Sequence, residues 1–239
     1  MTELLFQNDP YQAEAEAVVM AHTPEGAIVL DRTVFYPTGG GQPGDSGHLI
    51  WGGHKLPIAT AIKLDAGQVG LIAAEPLELP AIGTMVRQVL NWSRRHRHMR
   101  IHTALHLLSV VMPFPVTGGQ IGADKGRLDF AIPEAPADMQ AVEEALNRLI
   151  DRDLAVSEHW ITDEELLANP GLVKTMSVMP PTGQGRVRLV RIGTGATQVD
   201  LQPCGGTHVA RSAEIGRVVL GKVENKGRQN RRISLSLTD

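Results

Sequence analysis

The sequence predicts an α+β protein in two parts, a small β-barrel-like domain over 1–90 followed by an α/β domain over 91–239. Three observations carry this. Residues 14 to 90 hold short apolar runs broken by turn residues at close spacing. Near Ser93 the apolar period lengthens to that of a helix, and from about Arg186 alternating and apolar runs return. Closely spaced short strands close into barrels or sandwiches, whereas strands mixed with amphipathic helices make a layered domain.

In the first part the predicted strands are Ala17 to Met20, Ala27 to Leu30, Gly47 to Trp51, Ile58 to Leu64, Gly70 to Ala73 and Met85 to Leu90. Ile101, Leu105, Leu108 and Met112 then recur at helical spacing until Pro113 ends the run. A second helix is expected with Asp138 as its N-cap and Met139, Val142, Leu146, Leu149 and Ile150 along one face. A third begins at Thr162, where Thr162 and Glu165 form a capping box, and stops before Pro170. Strands are expected again over Arg186 to Ile192, Gly216 to Val223 and Arg232 to Leu237.

With 239 residues, 42% of them hydrophobic, the chain can bury a core of its own. No run approaches the roughly 18 to 20 uncharged apolar residues of a membrane span. The N-terminal stretch lacks the basic and apolar regions of a secretory leader, so the expected compartment is the cytoplasm. A net charge of −3 argues against attachment to nucleic acid by overall charge, but not against a local basic footprint. Two clusters offer one: Arg94, Arg95, His96, Arg97, His98 and Arg100, and then Lys222, Lys226, Arg228, Arg231 and Arg232. A solvated face is the plain alternative for each. The single cysteine, Cys204, excludes an internal disulfide and leaves three roles: buried small side chain, reactive thiol or metal ligand.

His102 and His106 lie one helical turn apart, so both imidazoles point from the same face. A pair at this spacing also arises in ordinary interiors. About a hundred residues on, Pro203-Cys204-Gly205-Gly206-Thr207-His208 places the only cysteine and another histidine around two glycines that permit a sharp turn. Zinc accepts this mixture of nitrogen and sulfur. A metalloprotease needs a glutamate general base after the first histidine; the residue here is Thr103, which disfavours peptidase chemistry. Four protein ligands make a closed site, whereas catalysis at zinc requires an open position. A loose ligand, an expanded coordination shell or a metal that only organises the pocket would each reconcile the two.

The chain resembles the alanyl-tRNA editing proteins (AlaX type, medium-length form), which are similar to the editing domains of alanyl-tRNA and threonyl-tRNA synthetases. The resemblance runs through Phe35-Tyr36-Pro37-Thr38-Gly39-Gly40-Gly41-Gln42-Pro43-Gly44-Asp45, His102-Thr103-Ala104-Leu105-His106, Gly126-Arg127-Leu128-Asp129-Phe130 and Cys204-Gly205-Gly206-Thr207-His208-Val209. It implies one zinc per chain on His102, His106, Cys204 and His208, and an aminoacyl ester at the 3′ end of tRNA(Ala) as substrate. The expected reaction is hydrolysis of mischarged Ser-tRNA(Ala), with Gly-tRNA(Ala) as a further candidate. It also implies a zinc-containing editing domain after the barrel, a serine-contacting role for Thr117 and, less directly, Gln120, and a substrate-shaping role for Gly39, Gly40 and Gly41. An ordinary strand threonine and ordinary tight turns are the competing explanations. The glycine string lacks the Gly-Lys-Ser/Thr ending of a triphosphate cradle, and no ATP binding or aminoacylation is expected.

The basic residues Arg94, Arg95, Arg97 and Arg100 lead into the histidine helix and are candidates for tRNA phosphates, as are Lys226 and Arg228. Two rival functions stand beside editing: a non-catalytic tRNA-binding module with a structural zinc, and a zinc hydrolase of small esters.

Overall fold

The computed structural model describes residues 1–174 and 185–238 and divides into two compact units, Met1–His96 and Arg97–Asp239.

The first unit opens with β1 (Glu3–Leu4), which pairs in parallel with β4 (Arg32–Thr33), and the single turn α1 (Leu5–Asn8). Its body is a closed barrel of β2 (Glu14–His22), β3 (Ile28–Leu30), β5 (Gly47–Trp51), β6 (His54–Lys63), β7 (Val69–Ala73) and β8 (Met85–Leu90), joined in the order β2-β3-β7-β6-β5-β8. Alternation dictates the filling. On β8, Val86, Gln88 and Leu90 point inward while Met85 and Arg87 face water. The interior is Val19, Ile28, Leu30, Phe35, Leu49, Leu56, Ile58, Leu71 and their neighbours. Buried Gln88 is satisfied: its Oε1 accepts from the Thr33 hydroxyl at 2.7 Å and its Nε2 donates to Arg32 O at 3.1 Å.

Helix α2 (Trp92–Val111) begins in the first unit and continues through the second; Asn91 caps it, its Oδ1 accepting from Arg94 N at 3.2 Å. One apolar stripe was expected on this helix. Instead every residue from His98 to Ser109 is buried, so its polar side, including Arg100, His102, Thr103 and His106, is packed inside the protein.

In the second unit β9 (Val116–Ile121) and β10 (Lys125–Phe130) lead into α3 (Met139–Asp151), β11 (Val156–Thr162) and α4 (Asp163–Ala168). After the undescribed stretch come β12 (Arg186–Ile192), β13 (Asp200–Pro203), β14 (Val218–Leu220), β15 (Glu224–Asn225) and β16 (Arg231–Leu237). One sheet runs β14-β16-β10-β9, with β15 also paired to β16; the other runs β11-β12-β13. Asp138 caps α3 by accepting from Ala141 N at 2.8 Å, and Thr162 and Glu165 make the expected capping box on α4. The strand expected over Gly216 to Val223 shrinks to three residues, and β11 and β13 had no counterpart among the expectations. Gly126 lets β10 lie against α2: a Cβ there would come within 2.5 Å of Ile101 Cγ2.

Candidate metal centre

His102 and His106 project from the buried polar side of α2, while Cys204 and His208 come from the turn that follows β13. The ligating atoms of all four lie within 4.8 Å of one another. Cys204 Sγ is 3.4 Å from His102 Nε2 and 3.3 Å from His208 Nε2. A tetrahedral zinc with bonds of about 2.0 to 2.3 Å sets a nitrogen and a sulfur ligand about 3.5 Å apart, so the spacing and the donor chemistry fit such an ion.

Each supporting bond decides which ring nitrogen faces the cluster. His106 Nδ1 lies 3.0 Å from Asp200 Oδ2, and a carboxylate only accepts, so Nδ1 carries the proton and Nε2 is left to ligate. Asp200 is held in turn by Gln202 Nε2 at 2.8 Å and Lys174 Nζ at 2.5 Å. On the other side, Thr103 Oγ1 donates to Met99 O at 2.9 Å and accepts from Val209 N at 3.3 Å. Its contact with His208 Nδ1 at 3.1 Å must then be an accepted bond, again leaving Nε2 for the cluster.

Electrostatics agree with a ligand set. Burial pushes the Cys204 thiol up, but the His102 and His208 rings beside it hold it well below its ordinary value. Burial and the neighbouring His102 press His208 down to about 3, keeping it neutral. His106 also loses by burial, yet its bonds to Asp200 and Cys204 raise it to about 9. A metal binding at His106 Nε2 would have to displace the second proton of that charged ring while Nδ1–H stays on Asp200.

The family description "Threonyl and Alanyl tRNA synthetase second additional domain" matches residues 187–234, and "tRNA synthetases class II (A)" matches residues 6–94. The chain is 34% identical to the alanyl-tRNA editing protein AlaX-M of Methanosarcina acetivorans over the whole of both, and 31% identical to that of Saccharolobus solfataricus over 98% of each. It is also 32% identical to an alanine–tRNA ligase of Caldivirga maquilingensis, over 93% of this chain and 25% of that one. This chain belongs to the alanyl-tRNA editing protein family.

The remaining candidates of this family member divide into those still accessible and those already committed. Thr117 lies on β9, its hydroxyl 3.1 Å from Asp129 O and 3.2 Å from Asn230 Oδ1. Its neighbour Val116 donates N–H to Lys174 O at 3.1 Å, and Lys174 reaches Asp200, so this end of β9 is tied to the His/Cys cluster through Asp200 and His106. Gln120 is exposed further along β9, accepting from Arg127 Nε at 3.1 Å.

In the other unit, Gly39 and Gln42 exchange backbone bonds of 3.0 and 2.9 Å around Gly40 and Gly41, whose φ values of 57° and 81° require glycine. Asp45, at the end of that motif, accepts from Tyr36 N at 2.6 Å and forms a buried ion pair with Arg95.

That pair corrects one expectation. Arg95 is 0% exposed and also bonds Val34 O and Pro10 O, so it cannot meet a phosphate. Arg100 is buried as well, donating to Ile215 O at 2.9 and 2.7 Å. Arg94 is half-buried on Gly44 O, and Arg97 bonds Ala123 O and Asp124. Lys226 and Arg228 sit exposed in the β15–β16 hairpin, with Lys226 paired to Glu224 at 2.9 Å. Sequence reasoning missed Asp200, Gln202 and Lys174. The alternation of Asp200 and Gln202 ahead of Cys204, two polar side chains on one face of a strand, was the available signal.

Proposed function

We propose that this protein hydrolyses the ester of tRNA(Ala) wrongly charged with serine, and secondarily glycine, at a zinc centre formed by His102, His106, Cys204 and His208. The observation that carries the reading is that four chemically matched ligand atoms converge within 4.8 Å in a chain whose full-length relatives are named alanyl-tRNA editing proteins.

His102, His106, Cys204 and His208 would hold the zinc ion, which when bound would supply Lewis-acid character beside the aminoacyl ester. The protein's own part is preorganisation: Asp200 and Thr103 hold two rings with Nε2 inward, and an ester is undemanding once it is placed. Thr117 would offer its hydroxyl to that of serine, with Gln120 further out and Gly39, Gly40 and Gly41 allowing close backbone approach. Selectivity has a physical basis. A pocket made for alanine rejects an added hydroxyl by only about a hundredfold, whereas a site that hydrogen-bonds the hydroxyl discriminates by about 10⁴ to 10⁵. The tRNA footprint rests on Lys226, Arg228 and the outer residues Arg94 and Arg97, now without Arg95 and Arg100.

The test is a deacylation assay with zinc-loaded protein on Ser-, Gly- and Ala-tRNA(Ala), with and without chelator. Serine should be released, alanine retained, and chelation or His102→Ala should stop the reaction. Metal-loaded protein that binds tRNA(Ala) but leaves Ser-tRNA(Ala) acylated would instead establish a binding module with a structural metal.

A further inference from the structure

We infer that Arg188, which lies outside the ligand motifs, is the positioning residue that sets the geometry of the loop carrying Cys204 and His208. The inference rests on reading the cluster as a metal centre.

Arg188 holds both backbone polar groups of Cys204. Its own carbonyl accepts from Cys204 N at 3.1 Å, and its side-chain Nη1 donates to Cys204 O at 2.8 Å. The second proton of the same Nη1 reaches Gly206 O at 2.9 Å. Both carbonyls are thereby held by one guanidinium, which fixes the backbone course from Cys204 to Gly206 and with it the Cα–Cβ direction from which Sγ reaches His102 and His208. The register explains how a residue sixteen positions upstream comes to act here: on the adjacent β12, Leu189 pairs with Pro203, so Arg188 lies beside the turn where β13 ends. On the opposite side Nη2 forms an ion pair with Glu158 of β11, and the Arg188 side chain is 5% exposed. The guanidinium therefore links β11 and its own strand β12 to the ligand loop.

The His208 end of the loop is held separately by Thr103, through His208 Nδ1 at 3.1 Å and Val209 N at 3.3 Å, so the arginine's share is the Cys204 end. Gly205 is exposed, a Cβ there would meet nothing within 4 Å among the described residues, and its φ lies outside the left-handed region. Gly205 and Gly206 were expected to permit the sharp turn; at Gly205 the backbone does not require a glycine, and the bonds from Arg188 help to hold the turn. A lysine at 188 would present a tetrahedral ammonium without the planar fork, and could not reproduce the paired bonds.

The experiment measures metal binding of the full chain, not activity. Zinc affinity is read by competition with a chromogenic chelator, and ligand geometry by the absorption of the cobalt(II)-substituted protein. Arg188→Lys should weaken zinc binding about 10- to 100-fold, the range for lost outer-shell support, and should alter the thiolate-to-cobalt band. Glu158→Gln should give a smaller loss in the same direction, and Arg211→Lys, at an exposed pair with Asp153 in the same unit, should leave both readouts as in the wild type. A folded Arg188→Lys with wild-type affinity and cobalt spectrum overturns the inference. Should that variant fail to fold, wild-type values in Glu158→Gln overturn it equally. Wild-type protein that binds neither ion would remove the metal reading itself, and the inference with it.

Discussion

Two glycine-rich loops, Phe35–Asp45 in the barrel and Cys204–His208 after β13, are each secured by a buried arginine, yet they are built for opposite ends. In the first, Arg95 pairs with the carboxylate of Asp45, the Tyr36 hydroxyl bonds Gly39 O at 2.7 Å, and the Thr38 hydroxyl accepts from Gly44 N at 2.9 Å. The polar side chains of that loop are largely spent on the loop itself. In the second, Arg188 takes from the loop only its backbone carbonyls, which leaves the Cys204 thiol and the His208 imidazole to face His102 and His106. Glycine content alone therefore says little about function; what matters is whether the fastening consumes side chains or spares them.

The largest effect should separate the loops outright. Cys204→Ala should abolish measurable zinc by metal analysis and lower deacylation by more than about a hundredfold, beyond the losses typical of outer-shell changes. Asp45→Asn should leave the zinc content unchanged but destabilise the protein by about 3 to 5 kcal/mol in denaturant unfolding, because Arg95 keeps its buried charge without an anion. Loss of zinc in Asp45→Asn would break the comparison.

A smaller effect concerns the glycines. Gly41→Ala forces a side chain into φ 81° and should cost about 1 to 2 kcal/mol. Gly205→Ala meets no atom and no backbone strain, so its thermal unfolding should stay within about 0.5 kcal/mol of the wild type. A loss of activity in Gly205→Ala at unchanged stability would mean that substrate, not folding, requires the glycine.

The smallest effect lies away from both loops. Arg228→Gln, at the exposed hairpin, should reduce the slope of log affinity for tRNA against log salt by up to about 1, measured by filter binding. An unchanged slope would take that hairpin out of the footprint.

Local patterns were legible where a few neighbouring residues decide the outcome. Gly47–Trp51, Met85–Leu90 and Arg186–Ile192 were readable to the residue from apolar runs, and Asp138 and Thr162 announced their helices because capping is a bond between positions three apart. Arg95 misled because a run of basic residues has the same composition whether it faces water or a buried carboxylate fifty residues away. β11 and β13 escaped because their polar residues, among them Glu158, Asp200 and Gln202, break the apolar pattern for reasons that only their partners supply. The same holds on α2, where the side opposite the expected stripe is polar yet dry.

By itself the sequence determined which donors exist and that they come as two local pairs, since the spacing of His102 with His106 and of Cys204 with His208 is a property of neighbouring residues. Only the tertiary structure decided that the pairs meet, that Asp200 and Thr103 turn Nε2 of His106 and His208 inward, and that Arg188 holds the backbone of Cys204. Those choices belong to strand register and to the burial of polar groups that must find partners, and both join segments separated by about a hundred residues.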